Sequence, residues 1–203
     1  MLSRHTKKSW QPLLWRSLLI IILILITFAV VLIISNPTPL SKDATVITVI
    51  EKPKITVGLP IRLKITVINV DAVIRYSSLT PDGAMGTPDG VNEVAWYRSG
   101  PRPGEIGSAA IAGHYGWTGD KGSVFNELHT LVEGDKISVI DENENIINFI
   151  VQKIQKYEPN ADALDVFTSN DNKSHLNLIT CDGTWENDKQ SYSNRLIIFS
   201  DKE

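Results

Sequence analysis

From Leu59 to Glu203 the chain repeats short apolar runs rich in β-branched residues, and clusters of Gly, Pro, Asn and Asp separate them. Segments with helical periodicity are scarce, and this spacing is typical of a mostly antiparallel barrel or sandwich. A stretch of this length is enough for one well-buried core. We therefore expect one β domain over 59–203, with predicted strands at 61–70, 73–76, 94–97, 108–112, 136–140, 146–154, 176–181 and 196–200.

One segment of this domain has the spacing of a helix. Val124, Leu128 and Leu131 fall at positions i, i+4 and i+7, which places them on one apolar stripe. The pattern predicts a short helix over 124–131 that lies on the barrel. Gly134-Asp135 then turns the chain back into a strand.

An apolar stretch precedes the β domain. Residues 18–34 carry no charge, and together with the apolar residues just before them they reach the roughly 20 residues that cross a bilayer. We predict a transmembrane helix over 13–34 after a short segment over 1–12. Four basic residues lie on the N-terminal side of the uncharged run 18–34: Arg4, Lys7, Lys8 and Arg16. The positive-inside rule then makes 1–12 cytoplasmic and the rest of the chain extracytoplasmic.

A cleavable signal peptide is the alternative interpretation of this stretch, although no small-x-small cleavage pattern follows it. In both cases the remainder is exported. The proline-containing residues 35–58 are predicted to form an extracytoplasmic stalk.

The chain contains a single cysteine, Cys181, at the end of the predicted strand 176–181. An exported domain with one cysteine cannot form a disulfide within itself. The thiol is therefore either a buried small hydrophobe, the commoner role of a free cysteine, or a reactive nucleophile held at a rigid strand end.

His114 and Arg195 also lie at strand ends. His114 closes the small apolar run 109–114, and Arg195 opens the run 196–199. The partners of a cysteine nucleophile are neighbours in space rather than in sequence, so this layout suits such a site. A structural histidine and a solvated strand-end arginine are the alternatives.

The other three histidines fit the role less well. His5 precedes the predicted membrane helix and lies across the membrane from the β domain. His129 is on the polar side of the predicted short helix, and His175 begins a predicted strand.

The residues from Leu63 to Phe199 resemble the sortases, membrane-anchored cysteine transpeptidases of bacterial cell surfaces. Each motif is weak alone, but their shared order makes the resemblance specific. The segments that carry it are Pro103-Gly104-Glu105-Ile106-Gly107-Ser108, Ile111-Ala112-Gly113-His114, Val124-Phe125 with Leu128, Leu131 and Gly134-Asp135, Leu176 to Cys181, and Arg195.

Two further segments, Trp96-Tyr97 and Asp182-Gly183-Thr184-Trp185, resemble the sortase class often labelled F. The chain departs from that class in two places. Ile65-Thr66 stands where an Ile-Pro pair is usual, and Tyr192 is separated from Arg195 by two residues instead of preceding it directly.

The resemblance implies an eight-stranded β-barrel with one or two short helices. It also implies cleavage of a Leu-Pro-x-Thr-Gly-like sorting signal between Thr and Gly, with the acyl group passing to Cys181 as a thioester. His114 would be the general acid and then the general base, and Arg195 would donate hydrogen bonds to the oxyanion. The partners would be surface proteins with a C-terminal sorting signal and an amine acceptor such as a peptidoglycan precursor or a pilin.

The substrate groove is expected to include Thr180 and the predicted loops 157–174 and 182–194. The carboxylates considered as calcium ligands in these loops lack the ligand spacing of a calcium loop, so neither a metal nor another cofactor is predicted. The residues concerned are Asp162, Asp165, Asp171, Glu186 and Asp188. The net charge of −3 and the absence of a basic stripe give no reason to expect nucleic-acid binding.

Two alternative functions stay open. A peptidoglycan L,D-transpeptidase is also an exported cysteine enzyme, but it places its cysteine after His-Gly and before Arg, which Thr180-Cys181-Asp182 does not match. A catalytically silent surface-binding module with the same fold would keep Cys181 inert, so alkylation of the folded protein separates the two cases.

Overall fold

The computed structural model describes residues 22, 25–27, 56–118 and 121–203. The predicted cytoplasmic segment 1–12 lies outside the described residues, as do most of the predicted membrane helix 13–34 and stalk 35–58. Ile22 and residues 25–27 are helical. No helix within the described ranges is both long and apolar enough to cross a membrane.

Eight strands close into a barrel in the order β1-β2-β3-β4-β9-β10-β8-β7. A separate two-stranded ribbon, β5-β6, lies after β4 in the chain. The bounds are β1 Pro60–Ile65, β2 Val70–Ser77, β3 Val94–Tyr97, β4 Gly107–Gly113, β5 Trp117–Thr118, β6 Lys121–Gly122, β7 Lys136–Asp141, β8 Ile146–Tyr157, β9 Ser174–Glu186 and β10 Ser191–Lys202. The predicted eight-stranded barrel is confirmed.

Most neighbouring strands of the barrel are antiparallel, as the short strand spacing predicts. Two pairings, β2 with β3 and β4 with β9, are parallel. The second of these is important for the site because it joins two strands that are far apart in the sequence and brings their C-terminal ends to the same edge of the sheet.

The first predicted strand, 61–70, is wrong as a single element. β1 ends at Ile65, a 3-10 turn spans Thr66–Ile68, and β2 begins at Val70. The chain reverses at Asn69, whose φ of 52° lies in the left-handed region. Asparagine tolerates this conformation better than most residues, so the Val/Ile pattern is interrupted without a Gly or Pro to signal it.

The predicted helix over 124–131 is also wrong in type. The segment consists of turns followed by a 3-10 helix, Leu128–Thr130. Its hydrogen bonds join residues three apart, and the Phe125 N–H donates instead to the His114 carbonyl, at 3.0 Å. The predicted burial is correct in part: Leu128 and Leu131 are buried in the core.

A four-residue helix, α1 (Leu164–Phe167), lies in the connection between β8 and β9 and was not predicted. It is too short to show helical periodicity. The barrel core is mainly apolar, and its largest fully buried side chains are Phe125, Phe149, Leu63, Ile65, Ile111, Leu128, Ile137, Leu176, Leu178, Leu196, Ile198 and Val94.

A buried carboxylate fastens the start of the barrel to the turn between β7 and β8. Asp141 is fully buried and accepts N–H groups from Gly58 at 2.8 Å, Asn143 at 2.9 Å and Asn145 at 2.9 Å. The Asn145 side-chain amide adds a fourth hydrogen bond at 2.9 Å. Burial opposes ionisation of Asp141, but these hydrogen bonds outweigh it, and the pKa of Asp141 is lowered.

We expect Asp141→Ala to lower the free energy of unfolding by about 2–4 kcal/mol, because the buried Gly58 N–H and the part-buried donors of the β7–β8 turn lose their acceptor. Urea denaturation measures this. Since the folded pKa is depressed, the contribution of Asp141 is present above its unfolded pKa and is lost as the pH falls through the folded value. The control is Glu142→Ala, which removes an exposed carboxylate bound to the Leu59 N–H and should cost less than about 1 kcal/mol. Equal losses from both variants would contradict this.

Candidate active site

The strand register places Cys181 beside Arg195. The two residues are directly opposite each other on the antiparallel strands β9 and β10, and Tyr157 on β8 is opposite Arg195 on its other side. Opposite residues of neighbouring strands share a face of the sheet, with Cβ atoms about 5 Å apart. The three side chains therefore form one row across the outer surface of the barrel wall.

The predicted loop 182–194 is a β-hairpin instead. β9 continues five residues beyond Cys181 to Glu186, and β10 begins at Ser191. Asp182-Gly183 is not a turn: Gly183 has φ +87° at a register shift between Tyr192 and Asn194. At this β-bulge β9 has one residue more than β10, and the pairing of the two strands continues beyond it. The Asp-Gly pair, which in the sequence is typical of a turn, therefore lies at a bulge.

The Arg195 guanidinium is held by its own hairpin. Nη1 donates to the carbonyls of Tyr192 at 3.1 Å and Asn194 at 3.0 Å, and Nη2 donates to Ser191 Oγ at 3.1 Å. A guanidinium has five N–H donors in a fixed plane. Within the described residues Nε–H and one Nη2–H have no acceptor, so Arg195 can bind an anionic oxygen without giving up the contacts that hold it.

His114 follows the last residue of β4, the strand that runs parallel to β9. β4 consists of small residues around one isoleucine, and its Gly113 is packed so closely that a Cβ would overlap the Phe125 ring and lie 2.9 Å from Val124 Cγ1. The His114 ring is partly buried, and its Nε2 lies 2.7 Å from the Pro88 carbonyl oxygen. Glycine at 113 thus lets the chain pass close to the core immediately before the histidine.

Thr180 connects the two halves of the site. It is 3% exposed, and its hydroxyl donates to the Gly113 carbonyl at 2.8 Å. That carbonyl belongs to the peptide bond that leads into His114. Thr180 borders the cavity described next, as the sequence predicts for the groove, but its hydroxyl is used to hold β4 against β9.

Cys181, His114 and Arg195 line one cavity of about 230 Å³. Its walls are otherwise mainly apolar. They come from the outer face of β4, β9 and β10, from the segment before β3, and from α1 with the residues before it. The apolar residues are Ala84, Met85, Ala112, Pro159, Ala161, Ala163, Val166, Phe167, Ile179 and Ile197.

The connection between β8 and β9 forms one wall of this cavity and is held in place by polar contacts. Asn177 on β9 donates to the Val166 carbonyl at 2.7 Å, and the Tyr157 hydroxyl donates to Asp165 at 2.6 Å. Burial, together with the hydrogen bond and charge of Asp165, raises the pKa of Tyr157 to about 12. The predicted loop 157–174 therefore does line the cavity, whereas no residue of 182–194 does.

His175 anchors the far end of the same connection. Its Nδ1 lies 2.7 Å from Asp201 and its Nε2 lies 2.9 Å from Asp171. Burial alone would lower the pKa of His175, but the hydrogen bonds to the two carboxylates outweigh it and the pKa is raised. His175 is thus a structural cation and not part of the cavity lining. His129 is also outside the cavity, with Nδ1 3.1 Å from the Asn126 carbonyl.

Two opposing influences act on the Cys181 thiol, which is partly buried. Burial raises its pKa, and the charge of Arg195 lowers it by a smaller amount, so the net shift is upward. The thiol form therefore dominates at neutral pH in the free protein.

Across the described ranges, no group of three His, Cys, Asp or Glu side chains could hold a metal ion.

Comparison with known families adds the identity of the domain. The family model described as Sortase domain matches residues 63–203, which is most of the chain. The chain belongs to the sortase family. It is a sortase-type cysteine transpeptidase. The sortase family acts on sorting signals and amine acceptors. The L,D-transpeptidase alternative is thereby removed. No curated protein matches the sequence.

Solved sortase structures share the fold at low sequence identity. Sortase C-1 from Actinomyces oris is 22% identical with a TM-score of 0.55, over 70% of this chain and 72% of that one. Sortase A from Corynebacterium diphtheriae is 20% identical with a TM-score of 0.56, over 73% and 62%. The sortase D5 transpeptidase of Clostridium perfringens is 23% identical with a TM-score of 0.52, over 72% and 79%.

The upward pKa shift of Cys181 predicts how the thiol reacts with pH. Alkylation of the folded sortase by iodoacetamide should be slower at pH 7 than that of an exposed thiol in a short peptide, and its rate should rise through a midpoint above that of the peptide. Arg195→Ala should move the midpoint still higher, because the favourable charge is lost. A midpoint below that of the peptide would contradict the prediction. Labelling only after unfolding would indicate an inert thiol.

The Thr180 hydroxyl gives a second prediction. Thr180→Val preserves the side-chain volume but leaves the Gly113 carbonyl without its donor, whereas Thr180→Ser keeps the hydroxyl. We expect Val to cost about 1–3 kcal/mol of stability and to reduce the transpeptidation rate about tenfold, because the peptide before His114 loosens. Ser should retain most of the activity. If Ser were as impaired as Val, the hydroxyl would not be the relevant group.

Proposed function

We propose that this sortase uses Cys181 as the nucleophile, His114 as the general acid and base, and Arg195 as the oxyanion donor. The observation that carries the proposal is the β9–β10 register, which sets Cys181 opposite Arg195 within the cavity that His114 also lines. A thiol, a proton carrier and a fixed cation that share one apolar cavity can perform acyl transfer.

The proposed substrate is a protein with a C-terminal sorting signal of the Leu-Pro-x-Thr-Gly type. The support is the character of the cavity, whose walls from Met85, Phe167 and Ile179 suit an apolar segment next to the scissile bond. Complete burial of a leucine side chain contributes about 1.5–3 kcal/mol. The small Ala112 on β4 leaves room for the substrate backbone close to the thiol.

In the first half-reaction the Cys181 thiol gives its proton to His114, and the resulting thiolate attacks the carbonyl carbon of the Thr–Gly bond. The carbonyl oxygen becomes an oxyanion and accepts hydrogen bonds from the N–H groups of Arg195 that remain open. One donor of this kind is typically worth about 3 kcal/mol. His114 then gives a proton to the glycine nitrogen as the C–N bond breaks, which leaves the acyl group on Cys181 as a thioester.

In the second half-reaction an amine attacks the thioester carbonyl. His114 takes the proton from the incoming nitrogen, the C–S bond breaks, and Cys181 leaves as a thiolate. The proposed acceptors are a peptidoglycan precursor, which would attach the protein to the cell wall, or a pilin. Water can replace the amine, with hydrolysis as the slower outcome.

The proposal includes a location at the cell membrane. The uncharged residues 18–34 and the basic residues before them support a single-pass anchor over 13–34 with a cytoplasmic N-terminus. The catalytic domain, 59–203, would then be extracytoplasmic behind a stalk over 35–58. Such a topology keeps the enzyme beside newly exported substrates.

The test combines the purified full chain in detergent with a Leu-Pro-x-Thr-Gly peptide library, an amine acceptor and mass spectrometry. Cleavage before Gly and an acyl adduct on Cys181 are expected, and Cys181→Ala should form neither product. Arg195→Ala should reduce kcat about 10²–10³-fold. The matched control is Arg98→Ala, an exposed arginine beside Tyr76, which should leave kcat unchanged. Absence of any adduct, with a thiol that resists alkylation, would favour a silent binding module.

A further inference from the structure

The hydrogen bond between His114 and Pro88 determines which ring nitrogen carries a proton. Nε2 lies 2.7 Å from the Pro88 carbonyl oxygen. A carbonyl oxygen can only accept, so Nε2 must be the donor and must carry hydrogen in the neutral ring as well as in the protonated one. The other nitrogen, Nδ1, has no hydrogen-bond partner within the part of the chain that the structure describes.

We propose that the Pro88 carbonyl is a positioning group for catalysis: it fixes His114 as the Nε2–H tautomer, so that Nδ1 is the nitrogen that exchanges protons with the substrate. The inference rests on the proposed function of His114. It adds an assignment that the cavity lining alone does not give, because either ring nitrogen of a histidine can act as acid or base.

The segment that carries Pro88 is held at both ends. On one side a small hairpin is closed by hydrogen bonds from Gly86 N to Ser78 O at 2.9 Å and from Thr80 N to Ala84 O at 2.8 Å. On the other side Val91 O accepts from Val124 N at 2.9 Å. The proline ring also fixes φ at residue 88 and restricts the preceding residue to extended conformations. The backbone around Pro88 is therefore restrained before substrate binds.

His114 is held independently of Pro88. Its own carbonyl accepts from Phe125 N at 3.0 Å, and the preceding Gly113 carbonyl accepts from the Thr180 hydroxyl at 2.8 Å. Both partners of the ring hydrogen bond are thus fixed by contacts on other elements. A fixed acceptor favours the histidine tautomer that donates to it, whereas a mobile acceptor can move to suit either tautomer.

The neutral Pro88 carbonyl orients the His114 ring, as the aspartate orients the histidine ring in Ser-His-Asp triads. No carboxylate contacts the His114 ring among the residues that the structure describes. The carbonyl accepts the Nε2–H bond through its dipole and adds no formal charge to the site.

The proton balance follows from this assignment. In acylation, Nδ1–H passes its proton to the departing amine as the C–N bond breaks, and the neutral Nε2–H ring remains. In deacylation, the Nδ1 lone pair takes a proton from the attacking amine as the C–S bond breaks. Nε2–H stays bonded to Pro88 throughout. The cycle returns an imidazolium and a thiolate, the ion pair that forms when the resting Cys181 thiol gives its proton to Nδ1.

The first test is nitrogen NMR of the full-length protein labelled with ¹⁵N-histidine, at a pH where His114 is neutral. His114→Gln assigns the signal by its loss. A protonated Nε2 and an unprotonated Nδ1 are expected for His114. A ring protonated at Nδ1, or an even mixture of tautomers, would overturn the inference.

The second test weakens the acceptor. Replacing Asp89 by its α-hydroxy analogue turns the Pro88–Asp89 amide into an ester, whose carbonyl is a poorer acceptor. The change removes no other contact, since the Asp89 N–H has no acceptor within the described residues. We expect kcat to fall about fivefold with little change in KM, and the minor tautomer to become detectable.

The matched control is an ester one position further on, with Gly90 replaced by its α-hydroxy analogue. Neither the Asp89 carbonyl nor the Gly90 N–H is hydrogen bonded in the part of the chain that the structure covers, so kcat and the tautomer should stay unchanged. An equal loss in both esters, or no change in the first, would overturn the positioning role.

The proposed function fails in a different way from this inference. If the unmodified protein forms no acyl adduct on Cys181, the catalytic role of His114 is lost whichever tautomer is observed. If the adduct forms while the ring is protonated at Nδ1, the proposed function stands and the role of Pro88 is refuted.

Discussion

The antiparallel pairing of β9 with β10 is the constraint on which the candidate site depends. It sets Cys181 opposite Arg195 on one face of the barrel wall, with Tyr157 in the same row. A shift of one residue in this register would move the arginine to the other face. The bulge near Gly183 lies beyond the Cys181–Arg195 pair, so the irregular hairpin tip leaves the register at Cys181 undisturbed.

Burial and reactivity oppose each other at the thiol. The apolar walls that suit a sorting signal also raise the pKa of Cys181, and Arg195 compensates only in part. The guanidinium is already bonded to Tyr192, Asn194 and Ser191, so its orientation is set before an oxyanion forms. With Arg195 in the proposed oxyanion role, this arrangement favours stabilisation of the transition state over a permanently ionised thiol, which would react with other electrophiles.

Much of this molecule could be predicted from local patterns, because strands alternate visibly and turn residues separate them. The eight-strand barrel and the approach of Cys181, His114 and Arg195 follow from motifs at strand ends. Other features left no local signal. The turns before the 3-10 helix depend on the His114 carbonyl, which follows the end of β4. The hairpin after Cys181 depends on a bulge whose Asp-Gly pair has the sequence signal of a turn. Pro88 acts through its backbone, which residue identity does not reveal.

The parallel junction of β4 with β9 also has a consequence for folding. Thr180 and Gly113, which are hydrogen bonded there, are 67 residues apart in the chain. Pairings of this separation form late, because loop closure costs entropy before the contact can compensate for it. Until the barrel closes, the histidine and the thiol lie on unconnected parts of the chain. An incompletely folded molecule therefore carries a cysteine without its partner, and catalytic activity becomes a measure of complete barrel closure.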